Sequence, residues 1–223
     1  FNHRNDSTIA DLHRCTADGC PEWKDTMKRQ HAHPEACDAC LRSKADALGS
    51  KFESPKATKP GQFVGMDSWS VSVPHVHGGQ TKVLGFHDYF SNLNQYYLLD
   101  SEESEQCAEA LGKYLAYCNS HGVRVERIHT DNATAFVGKY TAMQKMCNER
   151  NIRMTTISPG CPRQNGKMER CWRTGGCDTR TGLARTKMSR KYWWYFFKAA
   201  SQIAGLLPTA DNPDECPYSL FTG

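Results

Sequence analysis

Three acidic residues stand where a carboxylate needs a cation or a hydrogen-bond donor beside it. Asp67 follows the apolar run 63–66, Asp131 comes shortly after the strand-like run 123–128, and Glu169 lies in a polar, basic segment. An unpaired charge is costly to bury in an apolar run. Hard divalent cations take a few carboxylate oxygens and leave positions for water and substrate phosphate. Two such ions about 4 Å apart can activate a nucleophile and stabilise a leaving oxygen in phosphoryl transfer. The three acids therefore predict a two-metal site.

The charge distribution favours a polyanionic substrate. Residues 121–200 contain 16 Lys plus Arg against 5 Asp plus Glu, whereas residues 61–120 contain 2 against 7. A basic field around acidic metal ligands suits nucleic acid, because Lys and Arg displace counterions from phosphates. The alternative is that these residues only solvate a surface, and charge alone does not separate the two interpretations.

A family resemblance rests on three blocks of sequence. They are Asp67, the tetrapeptide 129–132 (His-Thr-Asp-Asn) and the block 162–170 (Pro-x-Gln-Asn-Gly-x-x-Glu-Arg). Together they resemble the catalytic core of a retroviral-type integrase, closest to the copia class of long-terminal-repeat retrotransposons. The closing segment 216–223 resembles the end of that core, so that the resemblance covers roughly residues 60–223.

The resemblance implies a polynucleotidyl transferase and endonuclease with an acid triad. Asp67, Asp131 and Glu169 would hold two Mg²⁺ or Mn²⁺ ions for cutting near the 3′ ends of an element and joining them to target DNA. Implied partners are element and target DNA and further copies of the chain, with no membrane and no small-molecule substrate. The implied location is the nucleus, preceded by a virus-like particle or polyprotein stage. His129 and Asn132 would position loop or substrate, or His129 would be structural.

The hydrophobic pattern predicts an α/β fold. Residues 63–73, 81–90 and 95–99 predict three successive strands in an antiparallel meander. A helix capped by Ser101 follows, then a strand at 123–128, a helix at about 138–148 and a strand at 152–156. This order, like the resemblance, indicates a ribonuclease H-like mixed five-stranded sheet flanked by helices. A last apolar helix is expected from Lys191 to Leu207, as core or subunit contact.

The helix expected after Pro162 presents Glu169 and several candidate DNA-binding residues. Asn165, Glu169 and Arg173 are four apart and share one face, whereas Lys167 and Arg170 lie on a neighbouring face placed to meet the DNA backbone. A pairing of Arg173 with Glu169 is the alternative. The pair Gly175-Gly176 interrupts this segment at about 1 kcal/mol per Gly relative to Ala, which leaves open a broken helix, an altered loop or a decaying element.

Residues 1–45 are rich in His and Cys and poor in aliphatic runs, which favours a metal-stabilised module. Cys37 and Cys40 form a CxxC pair that can grip a tetrahedral zinc ion. The resemblance implies two His ligands before them, and we favour His3 and His13. Other candidates are His31, His33, Cys15 and Cys20, and free thiols are the alternative.

The remaining composition gives coarse limits. Residues 46–61 are polar and predict a linker, so that the catalytic core would span 62–223. Eleven cysteines without a secretory signal favour reduced thiols and metal over a disulfide framework. The chain begins at Phe1, and we expect it to be a piece of a longer polyprotein.

Two other functions compete with an active integrase. A captured or degenerate core could grip DNA as a non-catalytic binding module, which Gly175-Gly176 favours and the intact acid triad opposes. A related cut-and-paste transposase is disfavoured by the Gln164-Asn165-Gly166 block and by the preceding CxxC segment.

Overall fold

A computed structural model describes residues 57–131, 141–156 and 166–223. Five strands form one sheet: β1 (Val64–Ser70), β2 (Lys82–Asp88), β3 (Asn94–Leu99), β4 (Arg127–Thr130) and β5 (Arg153–Thr156). Five α-helices are present in these ranges: α1 (Ser104–Ser120), α2 (Ala142–Glu149), α3 (Gly166–Thr186), α4 (Trp193–Gly205) and α5 (Pro217–Thr222). A short 3₁₀ helix (Arg190–Tyr192) precedes α4.

The sheet is mixed, with the strand order β3-β2-β1-β4-β5. β1, β2 and β3 pair antiparallel, as the predicted meander requires, and β4 pairs parallel with both β1 and β5. Parallel neighbours cannot be joined by a tight turn and need a crossover connection. Helix α1 lies in the connection that leads to β4, and α2 lies in the one between β4 and β5. The predicted mixed five-stranded fold is confirmed.

One face of the sheet carries the larger apolar side chains. Val64, Met66 and Phe86 are fully buried there, and Ile128 joins them because it pairs with Val64. The Phe86 ring stacks on the ring of Tyr114 in α1, with centroids 4.3 Å apart and planes 3° from parallel. Burying side chains of this size stabilises the fold by about 1.5–3 kcal/mol each. Helix α1 therefore covers this face and forms the main core.

The opposite face is kept flat by glycines, and α3 approaches it closely. A Cβ atom added at Gly65 would lie 3.1 Å from Met168 Cγ, and one added at Gly85 would lie 2.6 Å from Trp172 Cη2. Met168 and Trp172 are four residues apart, so that both project from the same side of the helix. The two glycines thus allow the first turns of α3 to lie directly on β1 and β2.

Several predicted boundaries are wrong by a few residues. The strand expected from Val123 begins at Arg127. Just before it, the Glu126 N–H donates to the Gly61 carbonyl at 2.8 Å, whereas the Glu126 carbonyl accepts from Arg153 of β5 at 2.9 Å. Helix α1 begins at Ser104 with Glu103 at the N-cap position, not at a cap formed by Ser101.

The pair Gly175-Gly176 does not break α3, which runs without interruption from Gly166 to Thr186. A Cβ atom at Gly175 would lie 2.7 Å from Cε2 of Phe197, a fully buried residue of α4. Close packing of an aromatic ring therefore favours glycine here, and it offsets the low helix propensity of that residue.

The described residues divide into two compact units, 57–172 with Thr222 and 173–221 with Gly223. The division falls within α3. The predicted zinc-binding segment 1–45 and all but the last residues of the predicted linker lie outside the described residues. In the ranges described, no helix is both long and apolar enough to cross a membrane.

The close approach at Gly85 gives a stability prediction. We expect Gly85→Ala to lower the free energy of unfolding by about 1–3 kcal/mol, because the added methyl group forces Trp172 off its site. Gly112→Ala is the matched control: its Cβ would meet nothing nearer than Met146 Cε at 3.8 Å. In a helix interior that change should instead stabilise by about 0.5–1 kcal/mol. Urea unfolding of both variants measures the difference, and equal effects would contradict the proposed close packing.

Candidate active site

Asp67 is a half-buried acid in β1 whose two oxygens each accept a hydrogen bond. The backbone N–H of Ser68 donates to Oδ1 and the indole N–H of Trp172 donates to Oδ2, both at 3.0 Å. A carboxylate has about four lone-pair sites on its two oxygens. These two bonds fix the orientation of the group.

The parallel pairing of β1 with β4 sets Asp131 beside Asp67. Met66 pairs with Thr130 in this ladder, and each acid is the next residue along its own chain. Neighbouring strands lie about 4.8 Å apart. The backbones of the two acids are therefore neighbours at the end of β4, between two inner strands of the sheet, although many residues separate them in sequence.

Glu169 lies in the first turn of α3 and is exposed. Its neighbour Met168 packs against Gly65, and Trp172, which donates to Asp67, lies three residues after it. Within the described ranges, no three His, Cys, Asp or Glu side chains lie close enough together to hold a metal ion. The structure thus brings Asp67 and Asp131 together but does not gather Glu169 into one ligand group with them.

The donor chemistry of the two neighbouring acids fits a hard divalent cation. Magnesium is commonly bound by one or two carboxylates, with water and substrate phosphate completing its octahedron. Asp67 and Asp131 offer only oxygen donors, and Asp67 is already held in place by two hydrogen bonds. The pair is suited to a cation that also binds phosphate.

The predicted DNA-binding residues of α3 differ in their surroundings. Lys167 is half-buried, with Nζ 4.9 Å from the centre of the Tyr89 ring and 3.5 Å from Asn92 Oδ1. Arg170 and Arg173 are exposed, whereas Asn165 lies outside the described residues. Lys167 therefore also contributes to packing against the sheet, which the sequence did not reveal.

His129 makes contacts typical of a structural residue. Its ring stacks on Phe63 at 5.7 Å between centroids, and its Nδ1 lies 3.1 Å from Thr155 Oγ1. Partial burial, reinforced by the positive charge of Arg127, lowers the pKa of His129. Asn132 lies outside the described residues.

Sequence reasoning missed a partly buried polar cluster under α3. His87 Nδ1 lies 2.9 Å from Asn94 Oδ1 and 3.5 Å from the Cys171 sulfur. Burial is the main cause that lowers the pKa of His87 to about 4 and raises the pKa of Cys171 to about 12. At neutral pH the thiol and the imidazole are both uncharged, so that this pair is not an activated nucleophile.

Trp172, the donor to Asp67, was also missed. The available signal was helical spacing, because residue 172 lies one turn after Met168 and Glu169. Spacing of this kind predicts that a tryptophan faces the sheet, but it does not predict which acceptor its N–H reaches.

Comparison with known proteins gives relatives by sequence but no matching family model. The chain is 24% identical over 188 residues to the Retrovirus-related Pol polyprotein from transposon RE1 of Arabidopsis thaliana, and 24% identical over 189 residues to that from transposon TNT 1-94 of Nicotiana tabacum. These matches cover 84% and 83% of this chain. The chain spans only 12% and 14% of the length of those relatives.

Several solved structures have a fold similar to that of this chain. A chain of the simian T-cell lymphotropic virus intasome, in complex with PP2A regulatory subunit B56 gamma, matches with a TM-score of 0.64 at 17% identity, covering 90% of this chain and 68% of that one. The HTLV-2 integrase catalytic core domain in complex with magnesium matches with a TM-score of 0.58 at 14% identity, covering 74% of this chain and 99% of that domain. The catalytic core domain of BIV integrase gives 0.53 at 16% identity, covering 72% and 93%.

The strand order, the crossover helices and these structural matches define the ribonuclease H-like fold of retroviral-type integrase cores. The predicted resemblance is thereby confirmed. The sequence relatives of this chain are retrovirus-related Pol polyproteins from transposons.

The depressed pKa of His87 gives a pH prediction. Its pKa is about 4 in the fold and about 6.5 when exposed, so that between these values the unfolded chain binds a proton that the folded chain does not. Stability from this residue is therefore complete above pH 6.5 and is lost as the pH falls towards 4. At about 1.4 kcal/mol per pKa unit, the loss is at most about 3.5 kcal/mol.

The test is His87→Gln, which keeps an N–H donor for Asn94 but does not titrate. Urea unfolding of both proteins at pH 7 and pH 4.5 gives the change in stability with acid, and the contributions of shared groups such as Asp88 cancel in the difference. We expect a flatter pH dependence in the variant. An unchanged slope would contradict the burial of a neutral imidazole.

Proposed function

We propose that this chain is the catalytic core of an integrase, which processes DNA 3′ ends and joins retrotransposon DNA to target DNA with the help of divalent metal ions. The observation that carries the proposal is the β1–β4 register, which sets Asp67 and Asp131 side by side. Support comes from the matched structures, one of which is a viral integrase core in complex with magnesium and another a viral intasome.

Asp67, Asp131 and Glu169 are the residues that would hold Mg²⁺ or Mn²⁺ ions. When bound, the ions would supply Lewis-acid activation of the nucleophile and charge stabilisation at the leaving oxygen. In end processing, a water oxygen attacks phosphorus and the bond to the 3′ oxygen breaks. In strand transfer, the freed 3′-hydroxyl attacks a phosphodiester of target DNA, and one 3′-hydroxyl is released for each bond formed. No side-chain base is needed.

In this reaction the side chains of the protein would orient the Asp67 carboxylate and attract the DNA phosphates. Ser68 and Trp172 fix the Asp67 carboxylate through one hydrogen bond to each oxygen. Lys167 and Arg170 put positive charge on the helix that lies over the acids, which offsets the repulsion between carboxylates and an approaching phosphate. Arg173 and Asn165 complete the proposed DNA-binding set.

A non-catalytic DNA-binding module is the second candidate. The observation that favours it is the exposed Glu169, which does not form one ligand group with the two neighbouring acids. The continuous helix α3 removes the earlier argument for it, because Gly175-Gly176 does not break the element.

Oligomerisation, location and zinc binding belong to the same proposal. The matched HTLV-2 core structures are described as trimeric and dimeric forms, which supports an oligomer here. We propose action on chromosomal DNA in the nucleus. We also propose a structural zinc ion held by Cys37 and Cys40, with His3 and His13 as the further ligands.

Removing one of the paired acids tests catalysis. We expect Asp131→Asn to reduce strand-transfer product at least about a hundredfold, because metal-assisted charge stabilisation contributes several kcal/mol. Product is measured with oligonucleotides bearing the element's ends, in Mg²⁺ and in Mn²⁺.

Glu109→Gln is the matched control, since Glu109 is an exposed acid of α1 that pairs with Lys113 at 2.8 Å. It should keep full activity. Equal product from Asp131→Asn and the unmodified protein would refute catalysis at this site, and absence of product from the unmodified protein with intact DNA binding would favour the second candidate.

Reversing the charge of Arg170 tests the DNA-binding face. Arg170→Glu should weaken binding of duplex DNA several-fold at low salt and lower the slope of log affinity against log salt, since each lost phosphate contact changes that slope by about one. Lys145→Glu on α2, which packs with α1 on the other side of the sheet, is the control. Fluorescence anisotropy measures both, and equal weakening by the two variants would indicate only a net-charge effect.

A further inference from the structure

Trp172 is fixed between the aromatic side chains of the sheet and the acid of β1. Only 7% of the residue is exposed, and its ring lies over Gly85, 4.9 Å from the Tyr96 ring and 5.6 Å from the Trp69 ring. Its indole N–H points out of this cluster and donates to Asp67 Oδ2 at 3.0 Å. The ring packing therefore fixes the position of the donor, and the donor fixes one oxygen of the acid.

We propose that Trp172 is a positioning residue for metal binding: its N–H holds the Asp67 carboxylate in the orientation in which it would meet a divalent cation. This inference rests on the proposed function, because it concerns how the same site binds its ion. It adds a residue that makes no contact with the cation.

The hydrogen-bond count supports this role. Oδ2 accepts from Trp172 and Oδ1 accepts from Ser68, so that both oxygens of Asp67 are held by protein donors. A carboxylate with freely rotating oxygens loses that freedom when it binds a metal, whereas one already held by two donors loses little. Outer hydrogen bonds to metal-binding carboxylates typically contribute 10–100-fold to metal affinity.

The position of Trp172 in α3 gives it a second effect. Glu169 lies three residues earlier, so that the two side chains are about one helical turn apart on neighbouring faces. Met168 on Gly65 and Trp172 on Gly85 and Asp67 are the contacts that seat this part of the helix on the sheet. The bond to Asp67 thus also sets where the turn that carries Glu169 lies relative to β1.

The alternative is that Asp67 only satisfies a buried indole N–H, since a tryptophan in a core needs an acceptor for this group. The two interpretations predict different results for metal affinity. If Asp67 is only the acceptor for the Trp172 N–H, removal of the N–H changes stability and leaves cation binding unaltered. If Trp172 positions the Asp67 carboxylate for a cation, removal of the N–H weakens cation binding in a protein that remains folded.

The test uses the whole chain without DNA. Trp172→Phe removes the N–H and part of the ring, and benzothienylalanine placed at position 172 keeps the ring shape with sulfur in place of N–H. Affinity for Mg²⁺ and for Mn²⁺ is measured by isothermal titration calorimetry, and folding is checked by thermal melting. Tyr97→Phe is the control, because it removes a polar group from an aromatic ring that packs on Phe86, on the opposite face of the sheet.

We expect a loss of metal affinity of roughly tenfold or more in both Trp172 variants. In Tyr97→Phe we expect a change of less than about twofold, because the bond from Trp172 to Asp67 stays intact. Unaltered affinity in the folded benzothienylalanine protein would overturn the positioning role and leave the proposed function standing. Absence of Mg²⁺ and Mn²⁺ binding to the unmodified protein would instead overturn the proposed function.

Discussion

The parallel pairing of β1 with β4 is the constraint on which the candidate site depends. Three residue pairs define this ladder, and the last of them, Met66 with Thr130, fixes the neighbourhood of Asp67 and Asp131. A shift by one residue would move one acid along the strand direction and turn its strand's side chains to the wrong face. Burial of Val64, Met66 and Ile128 resists such a shift, because all three are fully buried in the core. The hydrophobic core therefore sets the spacing of the two acids.

The two faces of the sheet at β1 have different roles. The face covered by α1 carries large side chains and supplies stability, whereas the face under α3 carries glycine at positions 65 and 85 and admits the side chains of Met168 and Trp172. Because residues alternate along a strand, an acid at position 67 must share the second face with Gly65. That acid is stabilised by two N–H donors and stays only half-buried, which avoids the cost of a fully buried charge.

The sequence predicted the types and order of the elements because their signals are local. Alternation and turn residues identified the meander, and helical periodicity identified α1. The register of β1 with β4 has no local signal, since it depends on how α1 packs and how the chain returns to the sheet. The same limit applies to single contacts: Trp172 could be assigned to the core side of α3, but its bond to Asp67 depends on the helix position over Gly85. At Gly175, a propensity argument failed because packing with Phe197 outweighs about 1 kcal/mol per residue.

The proposed site needs basic side chains close to its acidic residues. Two neighbouring carboxylates repel phosphate, so that a nucleic-acid substrate needs compensating positive charge before it can approach them. That charge also acts on His87, which lies on the same face: burial is the main cause that lowers the pKa of His87, and the charges of Lys167 and Arg170 lower it further. The positive potential of α3 therefore reaches through the helix to the sheet face that carries Asp67. Since Lys167 is held against the Tyr89 ring, part of this field is built into the fold and does not depend on side chains that move freely in solvent.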